Sequence, residues 1–571
     1  MERALLKAVH RLTPPPVCAQ VAYMGVLMMS LEASHAQAAA AGGVLSLLER
    51  ALGAVPSALL SAKGPKMASV IVSVANMHAD QPTVVRPALS CARRLLMNIA
   101  PRSADAGKLW RWLLEFTTHS QPKVRQRGQA TATEVLREAG AAAEGAPASA
   151  AATRFAHLSS LAAKHIEARL TTPSLKDVQP ILFLLHFLHA AIRLLAPTDA
   201  ASVAAALLKL PALSHPLISQ SSIELLQLVA ASDGVEGGSG AAGSALPAQA
   251  LATTVDGLLA IASGAAAAGG SAKAVAAAAA LQSPALRSIL TAESSLCAAD
   301  ISLGGKRLAP VASALLEALL ASHIRGGDKP PAKHAGRTSN KGGAAADEGE
   351  AAPAASLSSV IEPHHLSTLV TTCTGTTTDA AATSALAAAL GAGLEPRYLP
   401  LWRPVLEAIG DLFSALGQKA SPAADGLLAK MYELYSDHAR LREARGTLMA
   451  SLGLAARAIG PERFVRLLPI KVSTTLDGED SSWLLSVLRG HIGGDATLSF
   501  FATYFMPLQT WLLTRAAELG EQGRSVEQKN LHNLYEQVCI PLAEDVRVSY
   551  GAAVRGRWHG RCPGPPKREL G

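Results

Sequence analysis

The chain has 571 residues, is 49% hydrophobic and 17% charged, and carries a formal net charge of +8. That length holds several domains or one long repeat array. Residues 325–343 contribute +4 and residues 546–571 contribute +5, so the remainder is close to −1, and total charge by itself makes no case for a nucleic-acid-binding body. Ala and Leu dominate over aromatic residues (4%) and β-branched runs, which makes an all-helical protein the expectation. The six cysteines include no CxxC pair, which argues against a zinc site or a disulfide framework and fits a reducing compartment.

In chain order, "MERALLKAVHRLTPPP" reads as an amphipathic helix start without the apolar core of a signal peptide. Helical periodicity then predicts helices over 17–33, 66–77, 81–98, 105–118, 122–138, 151–169, 175–196, 198–209 and 215–232. After a weaker region it resumes over 307–322, 379–391, 398–416, 422–436, 438–459, 481–491 and 496–520, and no strand pattern of comparable quality intervenes. The longest apolar run, "ILFLLHFLHAAIRLL" (181–195), is shorter than the ~20 residues a membrane span needs, and His186, His189 and Arg193 interrupt it. No membrane partner is expected. A helix apolar on every side must be covered on every side, and without sheets only stacked helix pairs supply that cover.

The local signature agrees. In "THSQPKVRQRGQATATEVL" (118–136), Ser120 is placed to cap, Pro122 falls in the first turn and Val124 begins an inward stripe. This spacing resembles the second helix of a HEAT repeat, with a period of about 40 residues. The fold expected is therefore all-α: an α-solenoid of HEAT/armadillo-like helix pairs with disordered linkers. An N-terminal solenoid is expected over 1–232 and a degenerate low-complexity linker region over 233–306. A C-terminal solenoid follows over 307–540 with a disordered insert at 324–358, and then an unstructured basic tail over 541–571.

Few residues suggest chemistry. "ISLGGKRL" (301–308) lacks the GxxxxGK[ST] spacing of a phosphate loop. His364 and His365 are adjacent and cannot share a helical face, and His186 and His189 lie at i, i+3 inside an apolar helix. No Gly-x-Ser-x-Gly elbow occurs and no cysteine has a recognisable histidine context. The expectation is no catalytic residue, no metal, no cofactor and no small-molecule substrate. The basic trio Lys123, Arg125 and Arg127 has two readings. The plainer is a solvated face; the functional one is a phosphate or acidic-partner contact, helped by the positive end of the helix.

The stretch "SSWLLSVLRGHIGGDATLSFFATYFMPL" (481–508) is denser in aromatics than its surroundings. Trp483, Leu484, Leu485, Val487 and Leu488 are expected to face inward. "GGD" (493–495) is the break, with Asp495 capping the next helix, and Leu498, Phe501, Phe505 and Leu508 form a packing stripe. What stays open to function is Arg489 and His491 near the turn.

These blocks resemble the ribosomal RNA-processing protein twelve family. The likeness runs through "LWRWLLEFTTHSQPKVRQRGQATATEVL" (109–136), "PILFLLHFLHAAIRLL" and "LSHPLISQSSIELLQLVA". It continues in "ERFVRLLPIKV", "LDGEDSSWLLSVLRGHI", "ATLSFFATYFMPL" and "SVEQKNLHNLYEQV", all in the family's order. It covers residues 15–232 and 360–538. The resemblance implies a non-catalytic HEAT-repeat factor of the nucleus and nucleolus. Its implied partners are pre-ribosomal particles, pre-rRNA and nuclear transport factors, and its implied roles are rRNA maturation and subunit export. Gly490 and Ser486 depart from the family's Asp and Pro. After Val538 the family continues into further helices, whereas this chain turns to "CIPLAEDVRVSYGAAVRGRWHG" and beyond. The departure implies a truncated member, or a reading frame that has left coding sequence. Two other readings share the architecture: a karyopherin-like nuclear transport receptor, and a generic HEAT-repeat protein–protein scaffold.

Overall fold

The structure, a computed structural model, describes residues 19–144, 149–171, 178–213, 215–231, 246–267, 272–326, 362–374, 380–436, 440–472, 480–491 and 498–549. Among these residues there is no strand. The chain divides into two compact units, Met1–Ser295 and Leu296–Gly571.

The first unit carries α1 (Ala19–Ala33), α2 (Ala38–Leu52), α3 (Ser57–Met77), α4 (Pro82–Asn98), α5 (Ala104–Glu115) and α6 (Pro122–Glu144). It continues with α7 (Ala150–Thr171), α8 (Val178–Ala191), α9 (Pro197–Leu207), α10 (Pro216–Ala230), α11 (Ala248–Ala267) and most of α12 (Ala272–Ala299). Helices two apart lie side by side. α2, α4, α6, α8 and α10 follow one another in one layer, and α3, α5, α7, α9 and α11 form the other. This is the stacked-pair solution to helices with more than one apolar side. Proline opens α4, α6, α9 and α10, where its missing N–H has no intrahelical partner to lose. Ser103 caps α5 by accepting a hydrogen bond from the Ala106 N–H at 3.2 Å.

The second unit repeats the plan with α13 (Ile301–Gly305), α14 (Leu308–Gly326), α15 (His364–Thr374), α16 (Ala380–Ala392), α17 (Trp402–Leu416), α18 (Asp425–Tyr435), α19 (Arg445–Ile459), α20 (Pro461–Leu467) and α21 (Leu484–His491). α13, α15, α17, α19 and α21 make one layer, and α14, α16, α18 and α20 the other. A short α22 (Leu498–Phe500) passes through a π-helical turn (Phe501–Phe505) into α23 (Met506–Glu521), which pairs with α24 (Ser525–Ser549).

Bonds between equivalent helices measure the repeat. Cys91 Sγ reaches the Leu45 carbonyl at 3.7 Å across 46 residues. Trp110 Nε1 donates to the Leu158 carbonyl at 2.9 Å across 48 residues, and Ser451 Oγ to the Leu406 carbonyl at 2.7 Å across 45 residues. The all-α solenoid expected from the sequence is what the chain builds, with a period slightly longer than about 40.

Several local expectations change. α2 is absent from the helices that periodicity predicts, and it contains Gly42-Gly43, a pair more usual at a break. A Cβ on Gly42 would lie 2.7 Å from the Thr83 carbonyl oxygen, so this glycine marks a close helix–helix approach inside a helix. α3 begins at Ser57, not 66, and carries Pro65 within it; the Ser61 carbonyl that Pro65 leaves unbonded belongs to an exposed residue. By length and composition α3 is the one described helix able to cross a membrane, but here Leu60, Met67, Ile71 and Val74 are buried in the layer. The stretch 247–299, read as part of a linker, holds α11 and α12, with Leu251, Val255, Leu258, Leu286 and Ile289 buried. α24 runs to Ser549, so the first residues assigned to the unstructured tail are helical. Leu531 and Val538 anchor it as buried residues. Most of the insert 324–358, Asp495 and residues 550–571 lie outside the described residues.

Candidate nucleic-acid interface

The basic trio opens α6, and the structure separates its members. Arg125 turns toward α8. Its guanidinium lies 3.6 Å from the centre of the Phe183 ring and donates to the carbonyls of His119 at 2.9 Å and Ser120 at 3.0 Å. Ser120 thus contributes its carbonyl to Arg125. The first intrahelical bond of α6 runs from the Arg125 N–H to the Gln121 carbonyl at 3.0 Å, which makes Gln121 the cap residue instead. Gln129, one turn on, donates to the carbonyls of Thr117 (2.9 Å) and Phe183 (3.0 Å). Gly128 is as near as this seam allows, since a Cβ there would lie 2.9 Å from the Phe116 carbonyl.

Arg127 turns the other way. It donates to Ser90 Oγ on α4 and lies 3.6 Å from Glu49 on α2. Beside it Arg93 pairs with Glu134 at 3.3 Å and with Glu138. The result is a ladder of charge across α2, α4 and α6 in which the cations are matched by acids. Lys123 is exposed, and no described ion pair includes it.

In the second unit Arg489 is exposed at the end of α21. His491 is placed differently. Its Nδ1 donates to the Val487 carbonyl at 3.1 Å, and its ring fills the space over Gly453, where a Cβ would come within 2.4 Å. His491 therefore seats α21 on α19. Leu484, Leu485, Val487 and Leu488 are buried as expected. Trp483 is only half-buried and lies on the Tyr435 ring, 3.6 Å between centres at 13°. Arg445 covers that same ring from 4.9 Å. The π-helical turn changes the expected stripe. It brings Phe500 and Phe505, five apart, edge to face at 5.5 Å, which a regular α-helix would not do. Phe500, left out of the stripe, is buried.

Other candidates are structural. α13 is capped by Asp300, whose carboxylate accepts from the N–H groups of Ser302 and Leu303; these bonds hold it below the usual carboxylate range. A Cβ on Gly304 would strike Cys297 Sγ at 2.6 Å, so Gly304 of "ISLGGKRL" serves packing. Cys91 and Cys297 are buried and form no disulfide, and burial, with Glu49 nearby, pushes the Cys91 thiol well up. His364 sits 3.1 Å from Glu362, and among the described residues no three His, Cys, Asp or Glu side chains converge as metal ligands.

The reading of the sequence missed a second basic group. Arg102 precedes α5, Lys108 and Arg111 lie on it, and Lys164 lies on the neighbouring α7; all four are exposed. Three of them, Arg102, Arg111 and Lys164, lie close enough to act on His157. Burial and then the charges of Arg102, Arg111 and Lys164 hold its imidazole below the usual histidine value. The one available signal was the spacing of Arg111 and His157, which sit one repeat apart in sequence.

Residues 1–237 match the family described as RRP12-like, N-terminal HEAT repeats, and residues 351–542 match the family described as ribosomal RNA-processing protein 12, HEAT repeats. A human RRP12-like protein is 28% identical over 200 residues, 34% of this chain and 15% of the relative. A chicken RRP12-like protein is 32% identical over 157 residues, 26% of this chain and 12% of the relative. A putative ribosomal RNA-processing protein 12 from Schizosaccharomyces pombe is 32% identical over 131 residues, 22% of this chain and 11% of the relative. These matches take in no more than 15% of the relatives' own length. Among solved structures, Kap121p bound to Ste12p is similar at 12% identity and TM-score 0.31, covering 96% of this chain and 56% of that one. With both repeat families matched in chain order across more than half of its residues, the chain belongs to the RRP12-like family of HEAT-repeat proteins.

Proposed function

We propose that this chain is a non-catalytic scaffold of ribosome biogenesis. It binds pre-ribosomal particles and pre-rRNA in the nucleus and nucleolus, and supports rRNA processing and export of the subunits with nuclear transport factors. The observation that carries this reading is the match of both units, in order, to repeat families named for ribosomal RNA processing. The architecture supports it, because stacked helix pairs present long surfaces suited to large particles. Of the contacts proposed from the sequence, Lys123 and Arg489 keep exposed charge for a phosphate or an acidic partner, while Arg125, Arg127 and His491 position the helices that carry them.

The test is to express the tagged chain in cells, crosslink, purify and sequence the bound RNA, with a density gradient run in parallel. Pre-rRNA spacer sequence and co-sedimentation with precursor particles are the expected results. A cytoplasmic protein that sediments alone and carries no pre-rRNA overturns the reading.

A further inference from the structure

We infer that the α5–α7 face of the first unit, where Arg102, Arg111 and Lys164 gather around His157 and Lys108 is exposed on the same α5, binds the sugar–phosphate backbone of RNA. The inference rests on the function proposed above and assigns its RNA contact to a layer different from the one the basic trio occupies.

Three observations carry it. First, these cations are unmatched. In the α2–α4–α6 layer Arg93 and Arg127 are taken up by Glu134, Glu138 and Glu49, whereas no described ion pair includes Arg102, Lys108, Arg111 or Lys164. Asp105 and Glu115, at the two ends of α5, pair with none of them either. Second, the charges converge. Gly107 faces α7 in ordinary contact, since a Cβ there would lie 3.8 Å from His157 Nε2. Arg111 follows one helical turn after Gly107, Arg102 precedes the same helix, and Lys164 lies two turns beyond His157 on α7, so these three cations flank one contact between the helices, and Lys108 adds an exposed charge on α5. The charges acting on His157 are all positive. His189, by contrast, has Glu224 beside it pulling the other way. Third, the face has no stacking platform. Trp110 and Trp112 of α5 are buried and their ring N–H groups are bonded to Leu158 and Asn76. Cations without exposed aromatic rings suit phosphates and leave bases unread, which gives sequence-tolerant, salt-dependent binding.

The experiment uses the full chain, wild type and R102Q/K108Q/R111Q/K164Q, with a labelled 20-nucleotide uridine RNA. Affinity is read by fluorescence anisotropy at 50 to 200 mM salt, and circular dichroism checks that the variant folds. Four phosphate contacts to a single strand make the affinity fall roughly 50-fold between 50 and 200 mM salt, and each neutralised cation lowers the log–log slope by about 0.7. The quadruple variant is expected to lose most of that dependence. R466Q, which removes an exposed cation paired with Glu462 in the other unit, is expected to behave as wild type. An unchanged slope in the quadruple variant overturns the inference. So does equal binding of polyglutamate, which would make the face a site for acidic protein. Co-sedimentation of the wild type separates the two claims. A chain that joins precursor particles but binds no RNA keeps the proposed function and loses this face. A chain whose RNA binding depends on these cations, but which joins no precursor particle, keeps the face and loses the function.

Discussion

Gly42 and Gly43 are neighbours in α2, and the packing assigns them opposite responses to the same substitution. Gly43 is exposed, with nothing within 4 Å of the position a Cβ would take. Replacing it with alanine removes backbone freedom from the unfolded chain and should stabilise the helix by up to about 1 kcal/mol. At Gly42 the new Cβ would sit 2.7 Å from the Thr83 carbonyl oxygen and 3.2 Å from its carbon, where ordinary contact begins at 3.4 Å. Thr83 cannot swing aside, because the first turn of α4 is held by bonds from the Val84 and Val85 N–H groups to the Gln81 carbonyl at 3.0 and 3.1 Å. The two helices must separate, loosening the buried contact at Leu45 and Cys91. Overpacking of this kind costs about 1–3 kcal/mol. Set against the same helical gain, Gly42→Ala should destabilise by about 1–2 kcal/mol. Because the chain has two units, one global unfolding curve is a poor measure, and hydrogen exchange over α2 and α4 is the better assay. Exchange should quicken about 5–30-fold there in Gly42→Ala and slow in Gly43→Ala. Equal protection in the two variants would refute the close approach of α2 and α4.

Arg125→Ala removes two charge-assisted bonds and the stack on Phe183, and should cost about 2 kcal/mol, read as lost protection at the start of α6. Arg125→Lys should recover less than half of that, because an ammonium has no planar fork to lie on a ring while bonding two carbonyls. Lys123→Ala should stay within about 0.5 kcal/mol of wild type. Ser451→Ala deletes the buried link from α19 to the Leu406 carbonyl and should cost about 1 kcal/mol in exchange protection of α17 and α19. His165 is mostly buried, and burial followed by Arg169 pushes it down to about 4 from 6.5. Its folded pKa lies below its unfolded one, so the unfolded state takes the proton first. Stability is complete above about pH 6.5 and is lost as pH falls toward 4, by at most about 3 kcal/mol before solvent screening. His165→Leu should flatten that decline in a pH series of exchange rates over α7, and an unchanged slope would place the acid sensitivity elsewhere.

Periodicity made the repeat legible because the longer helices bury stripes that register over about two to four turns, as in Leu484–His491 and Trp402–Leu416. It failed wherever one residue carried the geometry. Gly42 and Pro65 read as breaks since their usual local meaning is a break, and only the neighbouring helix explains their place inside one. The insertion of a π turn between Phe500 and Phe505 leaves no mark in composition, so a stripe drawn at α-helical spacing leaves out Phe500, which is buried.

The basic trio divides among neighbours for a related reason. Three cations on one helix look like one face in sequence, but positions two apart are separated by more than half a turn. Arg125 therefore reaches α8 while Arg127 reaches α4. Charge density along a sequence counts cations without saying how many are already matched. In a solenoid that matching happens across repeats, at separations such as 37 and 45 residues where local inspection sees nothing. Arg102, Arg111 and Lys164 are sparse in sequence, and the stacking of α5 on α7 gathers them. In a near-neutral repeat protein, a binding face is better sought among cations that the next repeat leaves unpaired than among those that crowd one helix.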